Sequence, residues 1–262
     1  MKPFQFIAAF CVLGSVLTCA DAFHTDNVAG KYDMTGSVDA KKPLEQSIDI
    51  GFANTTGNTE TLNLNAKYKL TSLRKGYEGR DMKLSFDAGV YLTENDGTRD
   101  NEEYTLNAAV EQTLANDWLL YGTVRWLRNP FRNYDSKTFV GIGTGKTLVD
   151  TDKHTFTLKL GVGYNDEIYS DNQPDERFGS LTEYMEYRYH LSEKNDAYVT
   201  VGASENFENF DDYEILSVIG IDVALNDTLH LVVEEEIRYD NVPPVGFEKT
   251  DTKSIVRIGY TF

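Results

Sequence analysis

Cysteine is nearly missing from this chain: its only two, Cys11 and Cys19, fall within the first nineteen residues. The remaining sequence therefore holds no disulfide framework, no thiol nucleophile and no cysteine-ligated metal. Histidine is scarce as well. His24, His154, His190 and His230 show no paired metal-ligand spacing. Positive charge is short, with 25 Lys and Arg against 42 Asp and Glu and a formal charge of −17. Such a surface repels nucleic-acid phosphates. Beyond the N-terminus no long apolar run occurs, and the mean hydropathy is −0.43, which excludes a helical membrane protein. With only six prolines beside sixteen Tyr, fourteen Phe and twenty Gly, the composition favours strands over disorder.

The one apolar stretch reads as an export signal. Met1-Lys2 gives a short positive start, Phe4 to Leu17 is uncharged and apolar, and Ala20-Asp21-Ala22 fits small-x-small cleavage. Cleavage is expected after Ala22, making residues 1–22 a signal peptide and 23–44 a periplasmic N-terminal segment. Lipid attachment at Cys19 is disfavoured, because Val16-Leu17-Thr18 lacks the small residue that such processing usually needs.

From about residue 45 the chain alternates with period two. Leu62, Leu64, Ala66, Tyr68 and Leu70 are separated by Asn63, Asn65, Lys67 and Lys69. Phe156, Leu158, Leu160, Val162 and Tyr164 are separated by Thr157, Lys159, Gly161 and Gly163. Side chains on a strand point to opposite faces in turn, so each segment has one apolar and one polar face. On a helix the same residues would form no apolar stripe. Twelve strands are expected, at 45–54, 60–71, 81–93, 103–114, 117–127, 137–148, 153–165, 180–192, 196–207, 213–225, 227–240 and 251–262. Their lengths suit a tilted crossing of a bilayer. Links after strands 4, 6, 8 and 10 read as short, whereas Thr55 to Thr59 after strand 1 reads as short for a loop and Ser72 to Arg80 after strand 2 as long for a turn. Those after strands 3, 5, 7, 9 and 11 read as longer and irregular, as in a barrel with turns at one rim and loops at the other.

The fold expected is all-β: an antiparallel transmembrane β-barrel of about twelve strands, of bacterial outer-membrane type, over residues 45–262. Polar faces then line a lumen, and no sequence window scores as membrane-spanning. Trp118 and Trp126 share a face eight residues apart. At about 3.4 Å per residue and a tilt near 40° that is on the order of 21 Å along the membrane normal, close to an apolar band of about 25 Å. At the C-terminus Val256, Ile258, Tyr260 and Phe262 share one face. This ending resembles the terminal-strand signal of outer-membrane barrels, and the resemblance implies recognition by the barrel-assembly machinery.

Gly51-Phe52-Ala53-Asn54-Thr55-Thr56-Gly57-Asn58-Thr59-Glu60-Thr61-Leu62-Asn63-Leu64 resembles the YdiY-like salt-induced outer-membrane protein family, a domain family of unassigned function. The similarity runs from about residue 45 to Phe262. It implies an outer-membrane barrel and a link to salt or osmotic conditions, and it brings no catalytic residues.

The polar faces give a candidate lumen lining: Lys67, Lys69, Lys83, Asp87, Glu111, Arg125, Lys159, Glu186, Arg188, Asp222, Glu234, Glu236, Arg238 and Arg257. Ion pairing across a narrow lumen is one role for these charges, and selection of solutes in a small pore is another. Glu235 shares parity with Leu231, Val233 and Ile237, so either it faces lipid or a bulge turns it away. No enzyme is expected. The competing classes are a membrane hydrolase and an exported carbohydrate-binding β-protein. His190 and Ser192 resemble the His-x-Ser pair of the outer-membrane phospholipase, but no third triad member stands out. Neither cofactor nor metal is implied. Glu205 to Glu214 carries five acids and no base, without the spacing or glycine of a calcium loop. Expected partners are outer-membrane lipid and lipopolysaccharide.

Overall fold

A computed structural model describes residues 44–55, 61–244 and 247–262. The expected signal peptide, its cleavage point, residues 23–43 and the turn of the family motif at 56–60 lie outside the described residues. The described chain is one antiparallel meander: β1 (Leu44–Thr55), β2 (Thr61–Lys75), β3 (Asp81–Asn95), β4 (Thr98–Thr113), β5 (Trp118–Asn129), β6 (Tyr134–Asp150), β7 (His154–Tyr169), β8 (Glu176–Ser192), β9 (Asn195–Asn206), β10 (Tyr213–Ala224), β11 (Leu229–Asp240) and β12 (Thr250–Thr261). Each strand pairs with its neighbours in sequence, and β12 returns to β1, so the sheet closes into a twelve-stranded barrel.

The register sets the tilt. From Asp49 the ladder passes through Lys67, Gly89, Thr105, Leu127, Lys137 and Glu167 to Glu176, at the far end of β8. In the other direction it passes through Gly259 and His230 to Ala224, at the opposite end of β10. A hydrogen-bonded line thus climbs from one rim to the other, the stagger that closing a barrel requires. Both described chain ends lie at one rim, where Phe262 and Gln46 exchange backbone hydrogen bonds. We call this the terminal rim and its opposite the loop rim.

Side chains are distributed inside out. Among the described residues the fully buried set holds nine apolar residues against thirty polar or charged ones. Ile142, Leu160, Ile219, Val256 and Ile258 stand exposed on the outer wall. That wall offers a contiguous apolar surface which water does not stabilise and lipid does. Aromatic side chains edge it. Trp118, Tyr187, Tyr260 and Phe262 lie toward the terminal rim, and Tyr164, Tyr213 and Tyr239 toward the loop rim. An exported soluble carbohydrate-binding β-protein would reverse this arrangement.

Three expected connections differ. The link after β5, expected to be longer and irregular, is only residues 130–133, no longer than the 114–117 link after β4, because Pro130–Arg132 closes it as a single tight turn. The link after β3 is no irregular loop: β3 and β4 run on until only Asp96 and Gly97 separate them, both with positive φ (49° and 73°). Asp-Gly favours this tight hairpin, whose twist matches that of its strands. The strict short-and-long alternation therefore fails at this hairpin. At the terminal rim β2 continues to Lys75, so the connection that looked long, 72–80, shrinks to a turn at Tyr77–Gly79.

Candidate functional site: the charged lumen

Strand parity places all fourteen candidate residues on inward faces. Lys67, Asp87, Arg125, Lys159, Glu186, Glu234, Glu236, Arg238 and Arg257 are buried, while Lys69, Lys83, Glu111, Arg188 and Asp222 are partly covered. They do not form one cluster. Lys159 with Glu111, Arg257 with Glu234 and Arg188 with Glu186 pair within the set, while Lys69 and Arg238 pair with residues that the sequence reading did not include.

Near the loop rim Lys137 of β6 bonds Glu167 of β7 at 2.9 Å and reaches across the lumen to Glu214 of β10 at 2.5 Å. Arg238 of β11 approaches Glu214 at 3.2 Å and Asp240 at 3.7 Å. The β5–β6 link folds inward. Its Arg132, 2% exposed, contacts Asp251 of β12 at 2.8 Å. Asn133, at the end of this link, accepts from the backbone of Ser170 and Asp171 and bonds Gln173. Arg132 thus straps the mouth to its far wall. Asp212, on the β9–β10 link, has its carboxyl pushed above the usual range, chiefly by burial and further by the charges of Glu214 and Glu167.

Lower down, Lys159 of β7 pairs with Glu111 of β4 across the lumen, its ammonium lying near the rings of Tyr121 and Tyr184. Arg257 pairs with Glu234, which also accepts from Tyr198 at 2.5 Å. Arg188 bonds Glu186 and Asp196 at 3.3 and 3.1 Å. The wall beneath these side chains is glycine-rich on β6 and β7. A Cβ on Gly143 would meet the Leu160 carbonyl, the Tyr121 hydroxyl at 2.5 Å and the Gly161 Cα at 2.6 Å.

The phospholipase-like pair is not assembled. A register shift between His190 and Ser192 breaks the period-two relation that would have aligned them. His190 instead lies between Asp196 (2.7 Å) and Thr155 (3.2 Å), and the Ser192 hydroxyl accepts from the Lys194 amide. Among the described residues no group of three or more His, Cys, Asp or Glu side chains is placed to hold a metal ion.

Glu235 faces outward on an unbroken ladder opposite Ser254, whose hydroxyl donates to it. That settles the alternatives in favour of a lipid-facing carboxylate without a bulge. Glu235→Leu is therefore expected to stabilise the barrel by about 1–2 kcal/mol. The check is a urea titration of folding into vesicles. A midpoint that stays put or falls would show that the Glu235–Ser254 bond outweighs the cost of placing a carboxylate against lipid.

The residues that the sequence reading missed are of two kinds. Lys137, Glu167 and Glu214 obey strand parity but sit at or beyond the expected strand ends, where alternation has too few repeats to register. Arg132 lies on a link, and nothing periodic marks it.

A family model described as protein of unknown function, DUF481, matches residues 48–262. The Escherichia coli (strain K12) protein called uncharacterized protein YdiY is 24% identical over 263 residues, spanning 100% of both chains. Among solved structures, the COG4313 outer membrane channel from Pseudomonas putida F1 is similar with a TM-score of 0.54 and 12% identity. The match covers 86% of this chain and 100% of that one, a likeness of fold.

Proposed function

This chain belongs to the DUF481 family, whose description supplies no activity, and we propose that it works as a narrow, passive, non-catalytic pore of the outer membrane. The observation that carries this reading is the lumen: a closed barrel whose inward side chains are charged and hydrogen-bonding, with a mouth narrowed by a strap rather than sealed by an apolar core. Eight strands leave room only for side chains, and sixteen leave a wide channel. Twelve strands, crossed by ion pairs, lie between these limits. Charged walls of this kind pass small solutes and hold back large ones.

The reading includes export with cleavage after Ala22, the loop rim facing outward among lipopolysaccharide, and assembly guided by Val256, Ile258, Tyr260 and Phe262. Deleting Phe262 should lower the assembled amount in cells while leaving refolding in detergent unchanged. Equal loss in both settings would make Phe262 a stability residue instead. The salt association implied by the family resemblance belongs to the same proposal. A deletion strain should grow more slowly in raised salt, and equal growth removes the link.

Planar-bilayer recording of the refolded protein tests the pore directly. Small ohmic channel events are expected. Arg132→Ala, which frees the strap from Asp251, should raise the conductance by about twofold. Silence of both proteins over a range of salt would remove the pore reading.

A further inference from the structure

The outer wall is not smooth. Across β1–β5 runs an open groove of about 460 Å³, lined almost wholly by apolar surface. Small side chains make it. Ala88 of β3 lies in the ladder row between Tyr68 and Leu106, and Ala66 of β2 lies in the next row between Ile50 and Val90. Lys67, Gly89 and Thr105 also line the groove, although these positions face the lumen. Only their backbone can reach the outer face, so the floor between the two alanines is the bare sheet. Two large side chains that could fall across it are held away. The Tyr68 hydroxyl donates to Gln46 Oε1 at 2.6 Å and its ring lies beside Phe86, one row toward the terminal rim. The Trp126 indole donates to the Ser136 hydroxyl at 3.0 Å, which turns it toward β6 and the loop rim.

The groove extends from Ile48 on β1 to Trp126 on β5. At about 4.8 Å per strand spacing that is about 19 Å. With strands tilted near 40° it climbs about 12 Å along the membrane normal toward the loop rim, less than the depth of one leaflet's hydrocarbon, about 15 Å. At its upper mouth, in the row of Tyr104, Arg128 bonds Glu102 and Asp135 at 3.3 and 3.4 Å. Arg99 bonds Glu102 and Glu94 at 2.9 and 3.1 Å. A guanidinium has more N–H donors than these contacts use, and the two arginine side chains are 37% and 39% exposed.

We propose that this groove seats one acyl chain of lipopolysaccharide, with Arg99 and Arg128 taking its headgroup phosphates at the loop rim. The inference rests on the orientation given above, loop rim outward, and not on conduction. Hydrocarbon already surrounds the wall, so a bound chain gains packing rather than release from water. Against a flat wall a chain is touched along one side. In the groove the alanine floor and the flanks formed by Tyr68, Val90, Tyr104 and Leu106 touch it on three, and dispersion contact grows accordingly. Arginine at the upper mouth matches phosphate in geometry and charge, which fixes the end from which the chain enters.

The test is native mass spectrometry of the full barrel in mild detergent after incubation with purified lipopolysaccharide or phosphatidylethanolamine, with folding verified by heat-modifiable gel migration. About one lipopolysaccharide should be retained per barrel. Ala88→Leu, which fills the floor, should cut retention about fivefold or more, and Arg99→Ala with Arg128→Ala about threefold. Ala66→Leu serves in place of an Ala88→Leu barrel that fails to fold. Ala203→Leu, outward on β9 across the barrel from β3, should retain as much as the unaltered protein. Preference for phosphatidylethanolamine, no retained lipid, or equal loss in Ala203→Leu and Ala88→Leu overturns the seat. Orientation is read separately, by labelling Asp96→Cys in intact cells with a thiol reagent that does not cross membranes. Labelling is expected, and labelling only after lysis overturns the orientation and the lipopolysaccharide assignment with it.

Discussion

Lys137→Met is expected to cost the barrel about 3–5 kcal/mol, the loss typical of breaking a buried ion pair by removing one partner. The substitution keeps an unbranched chain of similar length, so packing is little disturbed. What it removes is the one ammonium shared by Glu167, 4% exposed, and Glu214 on the opposite wall. Arg238 still approaches Glu214, but Glu167 loses its charge partner and stays buried. Urea-dependent unfolding, followed by loss of the compact gel species, measures the effect. Adding Glu167→Gln and Glu214→Gln to Lys137→Met should recover most of the loss, because no uncompensated charge then remains. If Lys137→Met alone unfolds at the original midpoint, the brace across the lumen contributes nothing to stability.

Gly143→Val should act earlier, on whether the barrel closes at all. At Gly143 the atoms in the way are the Leu160 carbonyl and the Gly161 Cα, backbone of the paired strand, together with the Tyr121 hydroxyl. A side-chain tip can turn aside, but a ladder strand cannot move without losing its register. The expected outcome is a refolding reaction that yields no heat-modifiable species. Gly122→Val is the control. Gly122 faces outward, and its nearest obstacle to a Cβ is a Val110 methyl at 3.6 Å, so this variant should refold normally. Two variants that refold equally well would mean that the β6–β7 wall tolerates side chains, and the glycine reading would fall.

The sequence carried the strand count and the facing of most residues, because lipid on one side and water on the other impose a two-residue period along every strand. Val140 and Ile142 outward, with Phe139, Gly141 and Gly143 inward, can be read directly from their order. Strand ends were less legible. Beyond the membrane both faces meet water, the alternation fades, and β3, β4, β7 and β8 ran further than expected for that reason. Pairings across the lumen were not legible at all. Alternation says that Lys137 and Glu214 point inward, but they are 77 residues apart and their meeting depends on the barrel's circumference. The same holds for Arg132, whose contact with Asp251 comes from the path of a link. The hairpin at Asp96-Gly97 is legible from those two residues alone, because Asp-Gly accepts the positive φ of a two-residue turn whatever the length of the other loops.

The pairing of β12 with β1 has a consequence in time. Every other strand pairs with its neighbour in sequence, whereas this seam joins Ile48 to Tyr260 across the whole length of the barrel sequence and closes only when all the strands between are in place. Until then the protein is a curled ribbon with two raw edges and an outer wall unsuited to water, the condition in which sheets join strangers. Contacts so distant in sequence also form slowly. The span between export and closure is therefore the hazardous part of this molecule's life, and an escort that shields β1 and β12 until they meet would protect it where the finished barrel needs no protection.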